Sequence, residues 1–372
     1  MKFELCSGNR MAAWGAMAAG CRFFAGYPIT PSSEIYSEMM KLLPAHGGVA
    51  VGTPDEITAL NYVAGASMAG ARAMTATSGP GWCLMIETFQ FALMTETPLV
   101  VVLVQRLGPA TGGATQGGQG DLFLVEHATS GGYTVPVLAP VDAVDCYELT
   151  AEAFRLSEQL RTPVVVLSDK EIGMSVETID VDALPAIEVT PRKSFTGEGK
   201  YLPYGIGKLE DVPLFSPVGG EFKATITGSA HNQAGELRKN DPETIRQLRH
   251  LEQKIVGAVP SLERVRLEKR EGAKTLLVSF GVSARTCRQV VRDLRREGKP
   301  LNSMEVLSLF PVPVNALASA LSGVRRVVVV EENLKGMYAQ ALEPFLRKVD
   351  VVRVNTIGEM ISPEEIRKAV LA

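Results

Sequence analysis

Cysteine is scarce in this chain of 372 residues, and the cysteines that occur are not grouped. Their number is odd and no two lie at CxxC spacing, so the sequence carries no zinc or iron–sulfur signature. We interpret them as reduced, mostly buried thiols of a protein from a reducing compartment. The five are Cys6, Cys21, Cys83, Cys146 and Cys287.

Long apolar runs and a surplus of one charge are also missing. No segment reaches the roughly 18 consecutive apolar residues of a membrane span, and Arg10 interrupts the only apolar stretch that could belong to a signal peptide. The formal net charge is −3 and the isoelectric point is about 6.0, without the basic stripe that nucleic-acid binders carry. The sequence therefore predicts a cytoplasmic protein with neither a membrane nor a nucleic-acid partner.

The four histidines are scattered and form neither HExxH nor a cluster with carboxylates, so we expect no metal site in this chain. Two phosphate-binding fingerprints, GxxxxGK[ST] and GxGxxG after a strand, are absent as well. His231, in the sequence TGSAHN, is the one histidine for which a functional role stays open.

What is present is a regular alternation of apolar runs and amphipathic segments. Leu99–Val104 and Pro163–Leu167 are typical of buried strands, and Val141–Gln159 between them is typical of an amphipathic helix. Such alternation predicts an α/β fold with a parallel sheet that helices cover on both faces. We assign residues 1–185 to this first domain and residues 271–372, which repeat the pattern, to a smaller second domain.

The connection between the two domains, residues 186–270, breaks the alternation. Glycine and proline are dense between residues 190 and 235, which predicts a long irregular segment. Asp241–Glu271 has the charges and the apolar spacing of a helical arm with a solvated face. In the second domain we expect one strand over Ser303–Leu309 and one helix over Leu334–Val349.

The first motif, GYPITPSSEI at Gly26–Ile35, follows a short predicted strand and precedes a predicted helix. In open α/β sheets ligands bind where strands end, and the two prolines stiffen a turn that presents Thr30 and Ser32. A helix cap with a stiff turn explains the same residues without a ligand, because Ser32 and Ser33 suit an N-terminal cap. The residues alone leave both interpretations open.

An acidic pair opens a helix of small residues in PDEITALNYVAGASMAGARAM, Pro54–Met74. Glu56 lies in its first turn, where a carboxylate complements the helix dipole by about 0.3–1 kcal/mol, so a purely structural role is sufficient. The alanines and glycines that follow suit the close approach of another backbone, either within the core or at a subunit interface.

Two glycine-rich segments follow strands further along the chain. TATSGPG is interpreted as a tight connection before a helix that begins near Trp82. Arg106 lies at the end of the strongest strand and is followed by GPATGGATQGGQG, which is typical of a mobile loop over a site. Its guanidinium is suited to bind a carboxylate with two hydrogen bonds, or to pair with a nearby acid.

Taken in order, these motifs resemble the alpha subunit of 2-oxoacid:ferredoxin oxidoreductases. GYPITP in register with TATSGPG is the specific part, and TGSAHN and VVVVEENLKGMYAQ extend the resemblance over nearly the whole chain. The resemblance implies a pyrimidine-type thiamine diphosphate-binding domain followed by an α/β domain like the C-terminal domain of transketolase. It also implies coenzyme A-dependent oxidative decarboxylation of a 2-oxoacid to an acyl-CoA and carbon dioxide, with electrons passed to ferredoxin.

The resemblance carries over to individual residues. Glu56 matches the glutamate that hydrogen-bonds the aminopyrimidine ring of the cofactor, a role that suits a partly buried carboxyl group with a raised pKa. Thr30 matches the threonine placed near the reacting 2-oxoacid, and Arg106 matches the residue that binds its carboxylate. Further positions implied to contact the cofactor or flank its pocket are Tyr27, Pro28, Ile29 and Ser32.

The resemblance also implies what other subunits supply. The family places Mg²⁺, the diphosphate-binding motif and a [4Fe–4S] cluster in a separate beta subunit, and this sequence contains neither a GDG-x-N-type motif nor a CxxC set. A separate gamma subunit and a small ferredoxin-like delta subunit are implied as further partners. Ferredoxin, coenzyme A and the 2-oxoacid complete the set.

The residues do not decide the 2-oxoacid. The alpha-subunit form fits 2-oxoglutarate best, branched-chain 2-oxoacids come next because the glycine-rich loop resembles theirs in part, and pyruvate follows. Two other classes stay open: a subunit of a thiamine diphosphate enzyme without a redox step, and a non-catalytic scaffold subunit. Bound iron in the purified complex separates the first from an oxidoreductase, whereas the intact Glu56, Thr30 and Arg106 argue against the second.

Overall fold

The computed structural model describes residues 1–197 and 199–372. Three sheets organise this part of the chain: one of seven strands, one of five strands and a two-stranded ribbon. Among the described residues, no helix combines the length and the apolar character that a membrane crossing requires. The strands are β1 (Phe3–Ser7), β2 (Phe23–Gly26), β3 (Val49–Gly52), β4 (Ala73–Thr77), β5 (Leu99–Gln105), β6 (Val137–Leu138), β7 (Pro163–Asp169), β8 (Val176–Asp180), β9 (Val265–Glu268), β10 (Thr275–Ser279), β11 (Asn302–Val306), β12 (Ser308–Phe310), β13 (Arg326–Glu331) and β14 (Asp350–Asn355). The helices are α1 (Gly8–Ala18), α2 (Ser33–Ala45), α3 (Glu56–Met68), α4 (Gly79–Met94), α5 (Leu122–Glu126), α6 (Ala143–Leu160), α7 (Lys170–Met174), α8 (Pro242–Leu262), α9 (Gly281–Arg296), α10 (Val314–Ala320), α11 (Met337–Leu342) and α12 (Pro363–Leu371).

The seven-stranded sheet has the order β12–β6–β7–β5–β4–β2–β3 and is parallel except for its edge strand β12. Its central strands β5 and β7 are buried along their whole length, as expected of valine-rich runs that helices cover on both faces. One face packs against α3 and α4, and the other packs against α1, α2 and α6. The predicted α/β fold with a covered parallel sheet is confirmed.

The five-stranded sheet has the order β14–β13–β10–β11–β9 and is parallel except for its edge strand β9. Here the helical prediction for Asp241–Glu271 is wrong after Leu262, where α8 ends and the chain continues into β9, which pairs with β11. Val265 and Leu267 pack on the main core of the protein. These two residues are two positions apart, which is the period of a strand with one buried face. Because charged residues alternate with them, the sequence did not reveal this strand.

The single strand predicted over Ser303–Leu309 is in fact two strands in two different sheets. β11 belongs to the second sheet, whereas β12 pairs antiparallel with β6 of the first sheet. At the crossing, the backbone N–H groups of Leu307 and Ser308 both donate to the carbonyl oxygen of Arg264. The second half of the chain therefore completes one edge of the first sheet.

The helix predicted over Leu334–Val349 is also shorter than expected. It spans Met337–Leu342 and is followed by one 3₁₀ turn at Glu343–Phe345. The carboxylate of Glu331, at the end of β13, accepts hydrogen bonds of 2.8 and 2.9 Å from two backbone N–H groups at the start of this helix. A buried acid therefore fixes where the helix begins, which the helical spacing of the sequence does not reveal.

The glycine- and proline-rich segment contains no helix and no regular strand among its described residues, as its composition predicts. It is held to the first domain by Arg161, whose guanidinium donates to the backbone carbonyl groups of Pro203, Pro213 and Leu214. The division of the chain at residues 185 and 270 stays a prediction.

A buried charge cluster holds α8 against the first domain. Lys254 Nζ lies 2.5 Å from Glu96 Oε2, and His250 Nε2 lies 3.0 Å from the same oxygen. Burial disfavours the ionised carboxylate, but the charge of Lys254 and the hydrogen bond to His250 outweigh burial and hold the pKa of Glu96 well below its usual range. Glu96 is therefore ionised at neutral pH and depends on these partners.

Replacing Lys254 by methionine is expected to destabilise the protein by about 3–5 kcal/mol, because Glu96 is left as a buried charge without its main counter-ion. Urea unfolding followed by circular dichroism measures this loss. The exposed Lys208→Met variant is the control, with an expected change below about 0.5 kcal/mol. A Lys254→Met variant that is as stable as the wild type would contradict the assigned role of the cluster.

Candidate active site

The predicted site residues follow strands that end at one edge of the first sheet. β2 ends at Gly26, β4 at Thr77 and β5 at Gln105, and these three strands are parallel. Because the carboxyl ends of parallel strands meet at the same edge, the segments that follow them converge there. The structure thus brings together the YPITP turn, the start of α4 and Arg106.

The YPITP turn is held by three side chains. The carbonyl oxygens of residues 29, 30 and 31 accept hydrogen bonds of 2.9, 2.6 and 2.9 Å from Ser32, Arg106 and Asn9, respectively. The side chain of Ser32 makes no capping hydrogen bond to α2, so the capping role that the sequence suggested for this residue is wrong. Its hydroxyl group stabilises the turn instead.

The residues predicted to contact the cofactor differ in exposure. Tyr27 is 39% exposed and Pro28 is also exposed, whereas Ile29 and Thr30 are half-buried and Ser32 is buried. The Ser32 hydroxyl is already bonded within the turn. Among the five, it is therefore the least available to a ligand.

Glu56 is the first residue of α3 and is only 5% exposed. The preceding residue, Asp55, caps this helix, since its Oδ1 accepts a 2.7 Å hydrogen bond from the N–H of Thr58. Burial, with a smaller contribution from the charge of Asp55, raises the pKa of Glu56. Within the described chain its own backbone N–H is the one hydrogen-bond donor to the carboxyl group, which stays available to a ligand.

The start of α4 approaches two carboxyl groups so closely that side chains are excluded. A Cβ atom at Gly81 would lie 2.6 Å from Glu56 Oε1, and one at Gly79 would lie 2.8 Å from both carboxylate oxygens of Asp121. Thr77 ends β4 and Ser78 is the N-cap residue, so α4 begins at Gly79 within the TSGPG segment rather than near Trp82. Its glycines make room for acids on either side of the first turn.

These residues fit the pyrimidine end of thiamine diphosphate. A buried carboxyl group with a raised pKa and no other side-chain partner is suited to hydrogen-bond a ring nitrogen and to hold a proton there. In the described part of the chain, no group of three or more His, Cys, Asp or Glu is arranged to hold a metal ion. We assign none of these residues to the metal of the diphosphate.

Arg106 faces a cavity of about 380 Å³ between the two large sheets. Its side chain is 6% exposed, and its Nε has no hydrogen-bond partner among the described residues. The glycine-rich loop forms one wall and folds onto itself, since Leu107 N–H donates to the Gln116 carbonyl and Gly113 N–H to the Leu107 carbonyl, both at 2.9 Å. The opposite wall comes from the second half of the chain: Glu332, Asn333, Leu334, Met337 and Ile357.

A buried glutamine that sequence reasoning missed ties this loop to the second sheet. Gln119 Nε2 donates to Asp169 Oδ2 (3.0 Å) and to the Phe280 carbonyl (3.2 Å), while its Oε1 accepts from Ser283 Oγ (3.0 Å) and from the Glu332 N–H (2.8 Å). Burial raises the pKa of Asp169 to about 7. The loop that carries Arg106 at its start is therefore anchored at its other end.

Two further acids at strand ends were also missed. Asp169 ends β7, and Glu332 follows β13 and lines the cavity. Burial, with the nearby charges of Asp169 and Glu171, raises the pKa of Glu332 to about 8. The available signal was an acid directly after a valine-rich run, PVVVLSD in one case and VVVVEE in the other.

His231 is placed away from these groups. Its ring stacks on Tyr204 with centroids 3.9 Å apart, and its two nitrogens lie 3.0 and 3.3 Å from the carbonyl oxygens of Asn232 and Met94. It is not among the residues that line the cavity of Arg106. Its contacts are those of a residue that fixes the irregular segment.

Family comparison covers most of the chain in two parts. Residues 14–248 match the family described as pyruvate flavodoxin/ferredoxin oxidoreductase, thiamine diP-binding. Residues 273–366 match pyruvate:ferredoxin oxidoreductase core domain II. The first match ends before β9, the first strand of the second large sheet, and the second match begins after β9.

Relatives match the chain over nearly its full length. The 2-oxoglutarate synthase subunit KorA of Methanocaldococcus jannaschii is 38% identical and covers 100% of both chains. The ketoisovalerate oxidoreductase subunit VorB of Methanothermobacter thermautotrophicus is 31% identical over 96% of this chain and 94% of its own. A solved 2-oxoglutarate:ferredoxin oxidoreductase from Magnetococcus marinus, with 2-oxoglutarate, coenzyme A and succinyl-CoA bound, has a TM-score of 0.91 at 31% identity. It matches 99% of this chain, which spans 65% of the length of that solved chain.

The covered parallel sheet and the match to a thiamine diphosphate-binding family define a subunit of the thiamine diphosphate-binding oxidoreductase class. With this family match over more than half of its residues and relatives at 31–38% identity, the chain belongs to the 2-oxoacid:ferredoxin oxidoreductase family. The resemblance inferred from the GYPITP and TATSGPG motifs is thereby confirmed.

Proposed function

We propose that this chain is the alpha-type subunit of an enzyme that oxidatively decarboxylates a 2-oxoacid. Coenzyme A accepts the acyl group, carbon dioxide leaves, and ferredoxin accepts the two electrons. The observation that carries the proposal is Glu56, a buried carboxyl group with a raised pKa and no side-chain hydrogen-bond partner among the described residues. Only the first turn of α4 separates it from the cavity that Arg106 faces.

Glu56 has the position of a proton-holding residue. Bound thiamine diphosphate supplies the nucleophilic carbon and the electron sink that decarboxylation requires. The carboxyl group of Glu56 hydrogen-bonds a nitrogen of the pyrimidine ring and holds or releases a proton at that atom. A raised pKa brings the group closer to neutral pH, where both protonation states are accessible.

Arg106 and the YPITP turn orient the 2-oxoacid. One guanidinium nitrogen of Arg106 is already bonded to the carbonyl of Thr30, which fixes the direction of the side chain. The side chain lines the cavity and its Nε has no partner among the described residues, so the guanidinium is suited to bind the carboxylate of the substrate. The half-buried Thr30, whose carbonyl group accepts from Arg106, is assigned to the same substrate with its neighbours Tyr27, Pro28 and Ile29.

A partner subunit completes the active site. We assign the diphosphate, its Mg²⁺ ion and the [4Fe–4S] cluster to a beta subunit, because this chain offers no ligand set for them in its described residues. Large side chains that are 44–50% exposed lie on α3, α4 and α5 and provide a surface for that subunit. They are Ile57, Tyr62, Leu84 and Leu124. A separate gamma subunit, a delta subunit and ferredoxin are the further partners in this proposal.

Among the substrates, 2-oxoglutarate is the first choice. The KorA relative and the Magnetococcus marinus structure are both named for it, and this chain matches them over 100% and 99% of its length. Branched-chain 2-oxoacids are the second choice, because the ketoisovalerate subunit VorB also matches over 96% of this chain. The apolar side chains of the cavity wall, Leu334, Met337 and Ile357, suit the second choice as well.

The test uses the native complex co-purified through this chain. Coenzyme A-dependent reduction of a low-potential dye is measured with 2-oxoglutarate, 2-oxoisovalerate and pyruvate, with and without added thiamine diphosphate, and bound iron is quantified. Activity with 2-oxoglutarate in an iron-containing complex is the expected result. If the complex contains no iron and reduces the dye with none of the three substrates, the oxidoreductase proposal is wrong. The remaining function is then that of a thiamine diphosphate enzyme without a redox step.

A further inference from the structure

The cavity that Arg106 faces is lined by three residues that each carry a buried polar atom without a partner. These atoms are Arg106 Nε, Asp121 Oδ2 and Glu332 Oε1, and none has a hydrogen-bond partner among the described residues. Buried polar atoms are nearly always paired because an unpaired one loses its hydration without compensation. Three such residues in the lining of one cavity point to a polar ligand there.

The side chain of Asp121 makes no hydrogen bond among the described residues that explains its burial. It is 8% exposed and stands at the N-cap position of α5, yet its carboxylate makes no capping hydrogen bond. The local hydrogen bonds are made by its backbone: its N–H donates to Gln105 Oε1 (3.1 Å), and its carbonyl accepts from the N–H of Val125 (3.0 Å). The carboxylate is turned instead towards Gly79 at the start of α4, where no side chain fits.

Asp121 and Arg106 border the cavity together but do not form an ion pair. Arg106 donates its hydrogen bond to the Thr30 carbonyl and Asp121 Oδ2 has no partner among the described residues, although the charge of Arg106 acts on the Asp121 carboxyl group. Both residues line the cavity. Most other residues that line it are apolar or glycine, such as Leu107, Leu124 and Met337. This arrangement suits a small molecule with a compact anionic end and an apolar body.

We propose that Asp121 is a substrate-contacting residue, whose carboxyl group donates a hydrogen bond to the carboxylate of the 2-oxoacid that Arg106 binds. The inference rests on the proposed function and adds to it a second residue at the substrate carboxylate. An ionised aspartate would repel that anion, so the contact requires the protonated acid. Asp121 thereby makes substrate affinity depend on pH.

The electrostatics of the cavity agree with this role. Burial raises the pKa of Asp121 to about 6, and the charge of Arg106 opposes this shift. The other titratable groups that border the cavity are Cys83 on α4 and Glu332 after β13. A bound anion raises the pKa of Asp121 further. Binding near pH 7 therefore takes up a proton, and affinity falls as pH rises from about 6 towards the pKa of the complex, by up to tenfold per unit.

Isothermal titration calorimetry of the complex depleted of thiamine diphosphate tests the proposal without turnover. 2-Oxoglutarate and 2-oxoisovalerate are titrated at pH 7 in two buffers that differ in ionisation enthalpy. The wild type is expected to take up a large fraction of one proton per ligand, and Asp121→Asn close to none. Asp121→Ala is expected to bind about ten- to a hundredfold more weakly at pH 6, since a hydrogen bond to a charged group is lost.

Two control variants sharpen the result. Asp350→Asn changes an exposed aspartate at the other end of the second sheet, where it pairs with Arg326, and is expected to keep the proton uptake. Glu332→Gln removes the second acid of the cavity, and uptake that persists in this variant but not in Asp121→Asn belongs to Asp121. Unchanged proton uptake in Asp121→Asn, or a wild-type complex that binds neither 2-oxoacid, would overturn the proposal.

The proposed function is tested separately by the dye-reduction assay. If the wild-type complex binds a 2-oxoacid with proton uptake but reduces no dye, the oxidoreductase assignment is wrong. The assignment of Asp121 as a ligand-contacting residue then still holds. If the complex reduces the dye, but the Asp121→Asn variant keeps the wild-type proton uptake and the wild-type pH dependence of KM, the proposed role of Asp121 is wrong. The proposed function then still holds.

Discussion

Glu56→Gln is expected to lower 2-oxoacid-dependent dye reduction roughly 10²–10⁴-fold while the fold and the complex remain intact. Glutamine has the size of glutamate and still forms hydrogen bonds, but it cannot hold and release a proton at the pyrimidine ring. The helix keeps its cap because Asp55, not Glu56, supplies it. The measurement is kcat at saturating thiamine diphosphate, with circular dichroism as the check on folding.

A matched control separates this effect from a general loss of carboxylate charge. Glu188→Gln makes the same chemical change at an exposed position and is expected to keep the wild-type kcat. A Glu56→Gln complex with kcat within about threefold of the wild type would show that Glu56 merely complements the dipole of α3, a contribution of about 0.3–1 kcal/mol to stability. That result would favour the interpretation of this chain as a non-catalytic scaffold subunit.

The first sheet could be predicted from the sequence because its central strands have a clear apolar pattern. Leu99–Gln105 and Pro163–Asp169 are valine-rich runs that are buried on both faces, and amphipathic helices flank them. Short edge strands gave no such signal. β9 alternates apolar and charged residues beside a charged helix. β12 has only three residues and pairs with β6 of the first sheet, although the strand before it, β11, belongs to the second sheet.

The same contrast applies to the active site. The roles of Thr30, Glu56 and Arg106 were inferred from the family resemblance that GYPITP and TATSGPG carry, because their local motifs alone fit a structural role as well, and these roles stay predictions. The contacts of Gln119 could not be predicted, since its partners Asp169 and Phe280 are 50 and 161 residues away in the chain. Contacts that depend on tertiary structure leave no spacing pattern in one sequence.

Arg106→Lys is expected to raise KM for the 2-oxoacid and lower kcat/KM about 10²-fold, although the charge is kept. One N–H group of the arginine donates to the Thr30 carbonyl, and its Nε has no partner among the described residues. A single ammonium group cannot hold the turn and bind a carboxylate in the same directions. Losing one charge-assisted hydrogen bond of about 1.5–3 kcal/mol corresponds to roughly ten- to a hundredfold.

The effect on KM distinguishes substrate binding from a role that only fixes the turn. Steady-state kinetics with 2-oxoglutarate at fixed coenzyme A measures both constants, and the exposed Arg238→Lys variant, whose partner Glu236 is also at the surface, is expected to match the wild type. If Arg106→Lys lowers kcat but leaves KM unchanged, the residue positions the YPITP turn and does not bind the substrate carboxylate. In that case Asp121 would lose the partner that the proposal gives it, since the carboxylate of the 2-oxoacid would lie elsewhere.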